Sequence, residues 1–246
     1  MPGPLKKQMK KIGNHAVDFI LPPLCPATGE MVDILGMVDA KYWQSLSFIP
    51  APYCKTCGMP FAFEATDLQC GDCLETTPKY NEHRSALAYD DASRELILRF
   101  KHGDQTHAVK AFTPWLKQAG VNLISKTNCI LPVPLHRMRL IKRRYNQADL
   151  MARDMIRDLP DIDYRPDGLI RVKNTASQGH KKAKDRKANV SKAFTANPNY
   201  NFNGKIILII DDVYTTGATL NECAKTLYNA GASEVNCLTL ARVVKT

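Results

Sequence analysis

The chain has 246 residues, enough for one sizeable core and a small appendage. Its hydrophobic content of 44% is ordinary for a globular protein. Thirty-four Lys and Arg against 24 Asp and Glu leave a formal charge of +10, a surplus that favours anionic partners such as nucleic acid or phosphorylated metabolites. No apolar run approaches the roughly 20 residues of a membrane span. The stretch after Lys6, Lys7, Lys10 and Lys11 is broken by Asp18 and Pro22-Pro23, so it does not read as a signal peptide. These features point to a cytoplasmic protein, in which cysteines more often bind metal than pair as disulfides.

Residues 1–80 are rich in Pro and Cys and lack helical periodicity, and they are read as a small separate region. Within it, Cys54-Lys-Thr-Cys57 and Cys70-Gly-Asp-Cys73 are two paired-cysteine knuckles with the bite that tetrahedral zinc requires. Four protein ligands leave no open coordination position, so a structural Zn2+ is expected at Cys54, Cys57, Cys70 and Cys73. Gly58 and Gly71 are expected to form tight turns that aim N–H groups at sulfur. Cys129, Cys223 and Cys237 fall in predicted strands or helix and read as core.

From residue 81 to 246, strand and helix signals alternate, which implies an α/β sheet with helices on its faces. Strands are predicted at Ser85–Tyr89, Cys129–Val133, Leu169–Val172, Lys205–Ile210 and Val235–Ala241. Helices are predicted at Ser93–Phe100, His107–Ala119, Asn146–Leu159 and Thr219–Ala230, the second closed by Gly120 and the last by Gly231. The Lys205–Ile210 strand is apolar on both faces and so central in a parallel sheet. The polar, basic segment from Asn174 to Ser191 reads as a mobile insertion.

The segment Ile206-Ile-Leu-Ile-Ile-Asp211-Asp212-Val-Tyr-Thr215-Thr216-Gly217-Ala218-Thr219-Leu220 carries the most chemistry. An apolar strand ends in two acids, and a Thr/Gly loop opens a helix. Ligands of open α/β sheets bind at the carboxyl ends of strands. A helix N-terminus offers free N–H groups and partial positive charge to a phosphate, and Gly217 lets backbone approach it closely. Asp211 and Asp212 suit sugar hydroxyls or the shell of Mg2+ rather than the phosphate itself. A sugar 5-phosphate fits both halves. No GxxxxGK[ST] sequence is present. An ordinary capped helix would account for one acid and one Thr, not for the whole set.

This stretch resembles the signature of the type I phosphoribosyltransferases. The resemblance implies that Asp211 and Asp212 contact ribose hydroxyls of phosphoribosyl diphosphate, bound with Mg2+, and that Thr215, Thr216, Gly217, Ala218 and Thr219 hold its 5-phosphate. Asp211 and Asp212 would also stand as the catalytic pair if the chain turns over. Together with the cysteine knuckles, Leu98–Asp104, Pro132–Arg137, Arg143–Gln147, Arg171 with Thr175 and Gln178, and Thr239–Arg242 resemble the competence protein F family over nearly the full length. That resemblance implies a type I phosphoribosyltransferase fold behind a zinc ribbon whose first half is degenerate, since only Cys25 is kept there. It implies a link to DNA uptake, with single-stranded DNA and further DNA-uptake proteins as partners. Arg137, Arg139, Arg143 and Arg144 would face diphosphate or nucleic acid, as would Lys181, Lys182 and Lys184 in a flexible hood. Arg144 stands where the family has glycine, and His180 where it has leucine. Two other functions remain open at this point: a phosphoribosyltransferase acting on a small nucleophile, and a metabolite-sensing module.

Overall fold

The computed structural model describes residues 22–64, 68–102, 105–173 and 190–244. Five strands form one fully parallel sheet: β1 (His83–Ala88), β2 (Cys129–Pro132), β3 (Asp163–Tyr164), β6 (Ile206–Tyr214) and β7 (Glu234–Arg242). Their spatial order is β1-β7-β6-β2-β3. Two further strands, β4 (Leu169–Arg171) and β5 (Phe194–Ala196), pair antiparallel with each other in a separate ribbon. The helices are α1 (Ala40–Ser45), α2 (Gly71–Glu75), α3 (Asp91–His102), α4 (Val109–Ala119), α5 (Val121–Ile124), α6 (Arg137–Arg143), α7 (Gln147–Met155) and α8 (Ala218–Asn229).

Central strands explain the apolar runs. Along β6, Leu208 and Ile210 face one layer, where they join Leu96, Ile97 and Phe100 of α3, Phe112 and Leu116 of α4, and Met151 and Met155 of α7. Ile207 and Ile209 face the other layer, with Leu220, Cys223 and Leu227 of α8 and Phe194 of the ribbon. Strand β7 is split the same way, Leu238 and Leu240 against Val235 and Cys237. Each such side chain fully removed from water contributes about 1.5–3 kcal/mol. Cys129, Cys223 and Cys237 are buried core residues, as expected.

Helix starts follow local chemistry. Asp90 and Ser93 make a reciprocal capping box before α3: the Ser93 amide donates to Asp90 Oδ1 and the Asp90 amide to Ser93 Oγ, both at 2.9 Å. Asn146 caps α7 by accepting from the Ala148 amide at 3.1 Å, while its Nδ2 donates 2.9 Å to the Val133 carbonyl. That second bond ties the start of α7 to the end of β2.

The parallel α/β fold is as expected, and several elements differ from the sequence reading. β6 does not stop at Ile210 but continues through both acids to Tyr214, because Asp211, Val213 and Tyr214 pair with Thr239, Ala241 and Arg242 of β7. The apolar triplet at Leu169 belongs to the antiparallel ribbon rather than the parallel sheet. The expected Asn146–Leu159 helix is regular only to Met155 and finishes as a 3-10 turn at Ile156–Asp158. Arg137–Arg143, expected only as a basic segment, is helical. The expected insertion at Asn174–Ser191 lies almost wholly outside the described residues.

Candidate functional site

The chain order places the reversal point of the sheet between β2 and β6. From β2 the chain moves outward to β3, then returns to β6 on the other side and continues to β7. Crevices at such points, beyond the carboxyl ends of the strands, are where open α/β sheets bind ligands. Strand β2 ends here at Pro132, level with Ile210 of β6, whose next two residues are Asp211 and Asp212, and the Val133 amide donates to the Ile210 carbonyl at 2.9 Å.

Asp211 and Asp212 are both partly buried. Burial, then repulsion from Asp212, pushes the Asp211 carboxyl up to about 7. Its Oδ1 accepts from the Asp212 amide at 2.9 Å, which opposes the shift. Asp212 has a counter-ion: Lys101 Nζ, from the last turn of α3, lies 2.8 Å from its Oδ2. The sequence assigned Lys101 no role beyond its place in a family segment, and nothing local could have linked it to an acid so far along the chain.

The Thr/Gly loop opens α8 as expected. Gly217 is the N-cap at φ 71°, and no side chain caps the helix. Thr215 and Thr216 are exposed just ahead of the helix N-terminus; Thr219 is half-buried in the first turn. A Cβ on residue 217 would lie 2.6 Å from Tyr214 Oη, so glycine is required both by the left-handed backbone and by this contact.

Arginines converge from two elements. Arg171 of β4 is buried, lies over the Phe194 ring at 5.3 Å and is within electrostatic reach of Asp211. Burial and the neighbouring Arg171 and Arg143 guanidinium groups hold Arg139 of α6 below the usual arginine range. Arg143 donates to Gln147 Oε1 at 3.4 Å. Gln147 is itself buried, and its Nε2 has no partner among the described residues. Arg137 and Arg144 are exposed. Arg144 ends α6 in a left-handed conformation, φ 65°, a backbone that glycine adopts without strain. Lys181, Lys182 and Lys184 lie outside the described residues.

The four knuckle cysteines meet, with ligand atoms all within 4.8 Å of one another. The Cys57 thiol and the amides of Cys57 and Cys70 bond to Cys54 sulfur and pull it down to about 4 against burial. Cys57 is pushed up, chiefly by its contact with Cys54, and Cys73 up to about 12, chiefly by burial. Four sulfur donors gathered this closely, one of them already accepting from two backbone amides, suit a divalent cation, whose charge drives thiol deprotonation. The turn glycines differ from expectation in one respect: the Gly58 amide donates to the Cys54 carbonyl at 2.8 Å, not to sulfur. Gly58 is needed because a Cβ there would meet the His83 carbonyl at 2.7 Å.

A buried polar network joins this knuckle to the end of β6. His83 Nδ1 donates 2.8 Å to the Cys57 carbonyl, leaving Nε2 to accept from the hydroxyls of Ser85 or Thr239. Burial holds His83 down to about 3, so it is neutral. Arg242 donates to the same carbonyl and lies over the Tyr214 ring at 5.0 Å. Tyr214 in turn stacks on His83 at 4.3 Å and shares a hydrogen bond with Tyr80 at 3.0 Å.

Residues 16–74 match the double zinc ribbon domain, and residues 119–245 match the phosphoribosyl transferase domain. Competence protein F of Haemophilus influenzae is 34% identical over 199 residues, 78% of this chain and 85% of that protein. The chain belongs to the competence protein F family. Other relatives are the Bacillus subtilis competence protein ComFC, 31% identical over 80% of each chain. The DNA utilization protein YhgH of Salmonella typhimurium is 31% identical over 78% of this chain and 84% of that one. The architecture of the family, a zinc ribbon before a phosphoribosyltransferase fold, is the one described here, and its structural zinc site is the Cys54, Cys57, Cys70, Cys73 cluster. Only one such four-cysteine cluster exists among the described residues. In the other half of the ribbon, the sulfur of Cys25 accepts the Asp39 amide at 3.3 Å. No helix among the described residues is long and apolar enough to cross a membrane.

Proposed function

We propose that the chain binds phosphoribosyl diphosphate with Mg2+ at the β2–β6 crevice and single-stranded DNA on the adjoining basic surface, acting in natural transformation. The carrying observation is the convergence of an acid pair, an uncapped helix N-terminus with exposed threonines, and an arginine cluster at one reversal point of the sheet. The 5-phosphate lies against the Thr215–Thr219 amides and hydroxyls, which need no further cation to attract it. Asp211 and Asp212 accept from the two free ribose hydroxyls. Arg139, Arg143 and Arg171 face the diphosphate, and the clustering that lowers Arg139 is relieved when an anion arrives. Mg2+ would enter with the ligand, held by its diphosphate and ribose oxygens, and would neutralise diphosphate charge.

The DNA surface follows from α6, which leaves Arg137 and Arg144 exposed beside the crevice. Lys181, Lys182 and Lys184, outside the described residues, are assigned to DNA from the sequence alone. Phosphate contacts dominate, so sequence preference is weak and affinity falls steeply with salt. The names of the relatives, competence and DNA utilization proteins, support a DNA role for this chain.

Calorimetry with phosphoribosyl diphosphate and Mg2+ tests the first half: binding by wild type and none by Asp211→Ala/Asp212→Ala is expected. Equal affinity in both removes the assignment. Fluorescence anisotropy of a labelled oligonucleotide across a salt series tests the second. Lys181→Ala/Lys182→Ala/Lys184→Ala should flatten the salt slope by about two units, at roughly 0.7 per lost contact. Absence of binding at low salt removes the DNA role and leaves a small-molecule transferase as the better reading.

A further inference from the structure

The acid pair already holds a cation that belongs to the protein. Lys101 Nζ sits 2.8 Å from Asp212 Oδ2, with 16% of the lysine side chain and 17% of the aspartate side chain exposed. Lys101 comes from α3, which lies outside the segment matching the phosphoribosyl transferase domain, residues 119–245. A residue from outside that segment therefore completes the electrostatics of the motif. Helix α3 is anchored ahead of the contact: its capping box fixes the start, and Leu96, Ile97 and Phe100, the last next to Lys101, are fully buried. The lysine is thus delivered to Asp212 by a rigid element.

We propose that Lys101 is a positioning residue that serves as the resident counter-ion of Asp212, taking the place of a divalent cation at the acid pair. A divalent ion bonding directly to Asp212 would have to displace an ammonium at close range, because the two cations repel. With Lys101 in place, the carboxylates stay oriented for the ribose hydroxyls without metal. Together with Arg139 and Arg171, the lysine supplies positive charge that a diphosphate would otherwise draw from Mg2+. The role in ribose binding rests on the reading of the acid pair above; the counter-ion role does not.

Two titrations separate these. The first uses Mn2+ alone, followed by calorimetry or by its paramagnetic signal, on wild type, Lys101→Met and Lys101→Arg. Lys101→Met should bind Mn2+ about tenfold more tightly than wild type, one decade corresponding to about 1.4 kcal/mol. The gain should vanish in Lys101→Met/Asp212→Asn and be absent in Lys101→Arg. Unchanged Mn2+ affinity in Lys101→Met overturns the proposal. The second uses phosphoribosyl diphosphate in excess chelator and in Mg2+. Wild type should retain affinity within about tenfold without metal, and Lys101→Met should bind only with Mg2+. A wild-type affinity that collapses in chelator also overturns the proposal. If the ligand binds neither protein while the Mn2+ gain persists, the counter-ion role stands and the phosphoribosyl diphosphate reading fails.

Discussion

Asp211→Asn should make the protein more stable and less able to bind ligand. Asp211 is shifted from 3.8 to about 7 by burial and by Asp212. Between those values the folded chain retains a proton that the unfolded chain releases. Stability therefore falls as pH rises through that window, and the loss is complete above about 7. At about 1.36 kcal/mol per unit, a shift of roughly three units sets a ceiling near 4 kcal/mol. Asp211 is only partly buried, so water screens part of this, and about 1–3 kcal/mol is the expected gain at about pH 8. Asparagine keeps the Oδ1 that accepts the Asp212 amide, so the local backbone is preserved. In a chain of this size the gain appears as a rise in Tm of about 2–12 °C. Thermal unfolding of both proteins from about pH 5.5 to 8 measures it. The gap should be about half as large at the acid end and should widen with pH. A variant less stable than wild type at about pH 8, or a gap independent of pH, would refute the reasoning.

Three further outcomes are expected. Metal analysis should find about one zinc per chain; Cys54→Ser should lose it and lower Tm, and full stability in the zinc-free variant would contradict a structural role. Arg144→Gly should stabilise by about 0.5–1 kcal/mol, since a side chain at φ 65° costs about 1–2 kcal/mol and some favourable Arg144 contacts are lost with it; urea unfolding would show it. Gly217→Ala should destabilise by about 1–3 kcal/mol and weaken phosphoribosyl diphosphate binding, because its Cβ collides with Tyr214 at a positive φ; unchanged Tm and affinity would count against the tight loop.

The features legible in the sequence were those written in contiguous residues. The apolar run before Asp211 and the Thr/Gly set after it mark a strand, a loop and a helix without tertiary information. The spacing of Cys54, Cys57, Cys70 and Cys73 marks a metal cluster for the same reason. The end of β6 was not legible, because Asp211 and Asp212 interrupt the apolar run and the strand continues past them only through pairing with β7. Leu169–Arg171 shares its apolar look with a parallel strand, and only its partner Phe194–Ala196 distinguishes the ribbon. Helix α6 was hidden because Met138, Leu140 and Ile141 are exposed, so no buried face produced a period. Strand β3 has two residues, too few for any pattern. Lys101 depended on a contact between distant segments, which a single sequence does not display.

The Cys57 carbonyl has a consequence for how the chain can be divided. It accepts from His83 in β1 and from Arg242 in β7, two strands of the main sheet, and the rings of His83 and Tyr214 close over the same place. A fragment beginning at residue 81 would keep His83, Arg242 and Tyr214 but lose the acceptor. Two donors now paired in the interior, and the His83 and Tyr214 rings beside them, would lose their cover and open to water just ahead of the loop that carries Thr215 and Thr216. The cysteine knuckle thus forms part of the floor on which that loop stands, and excising the transferase-like half alone would yield a piece with a hole in its base.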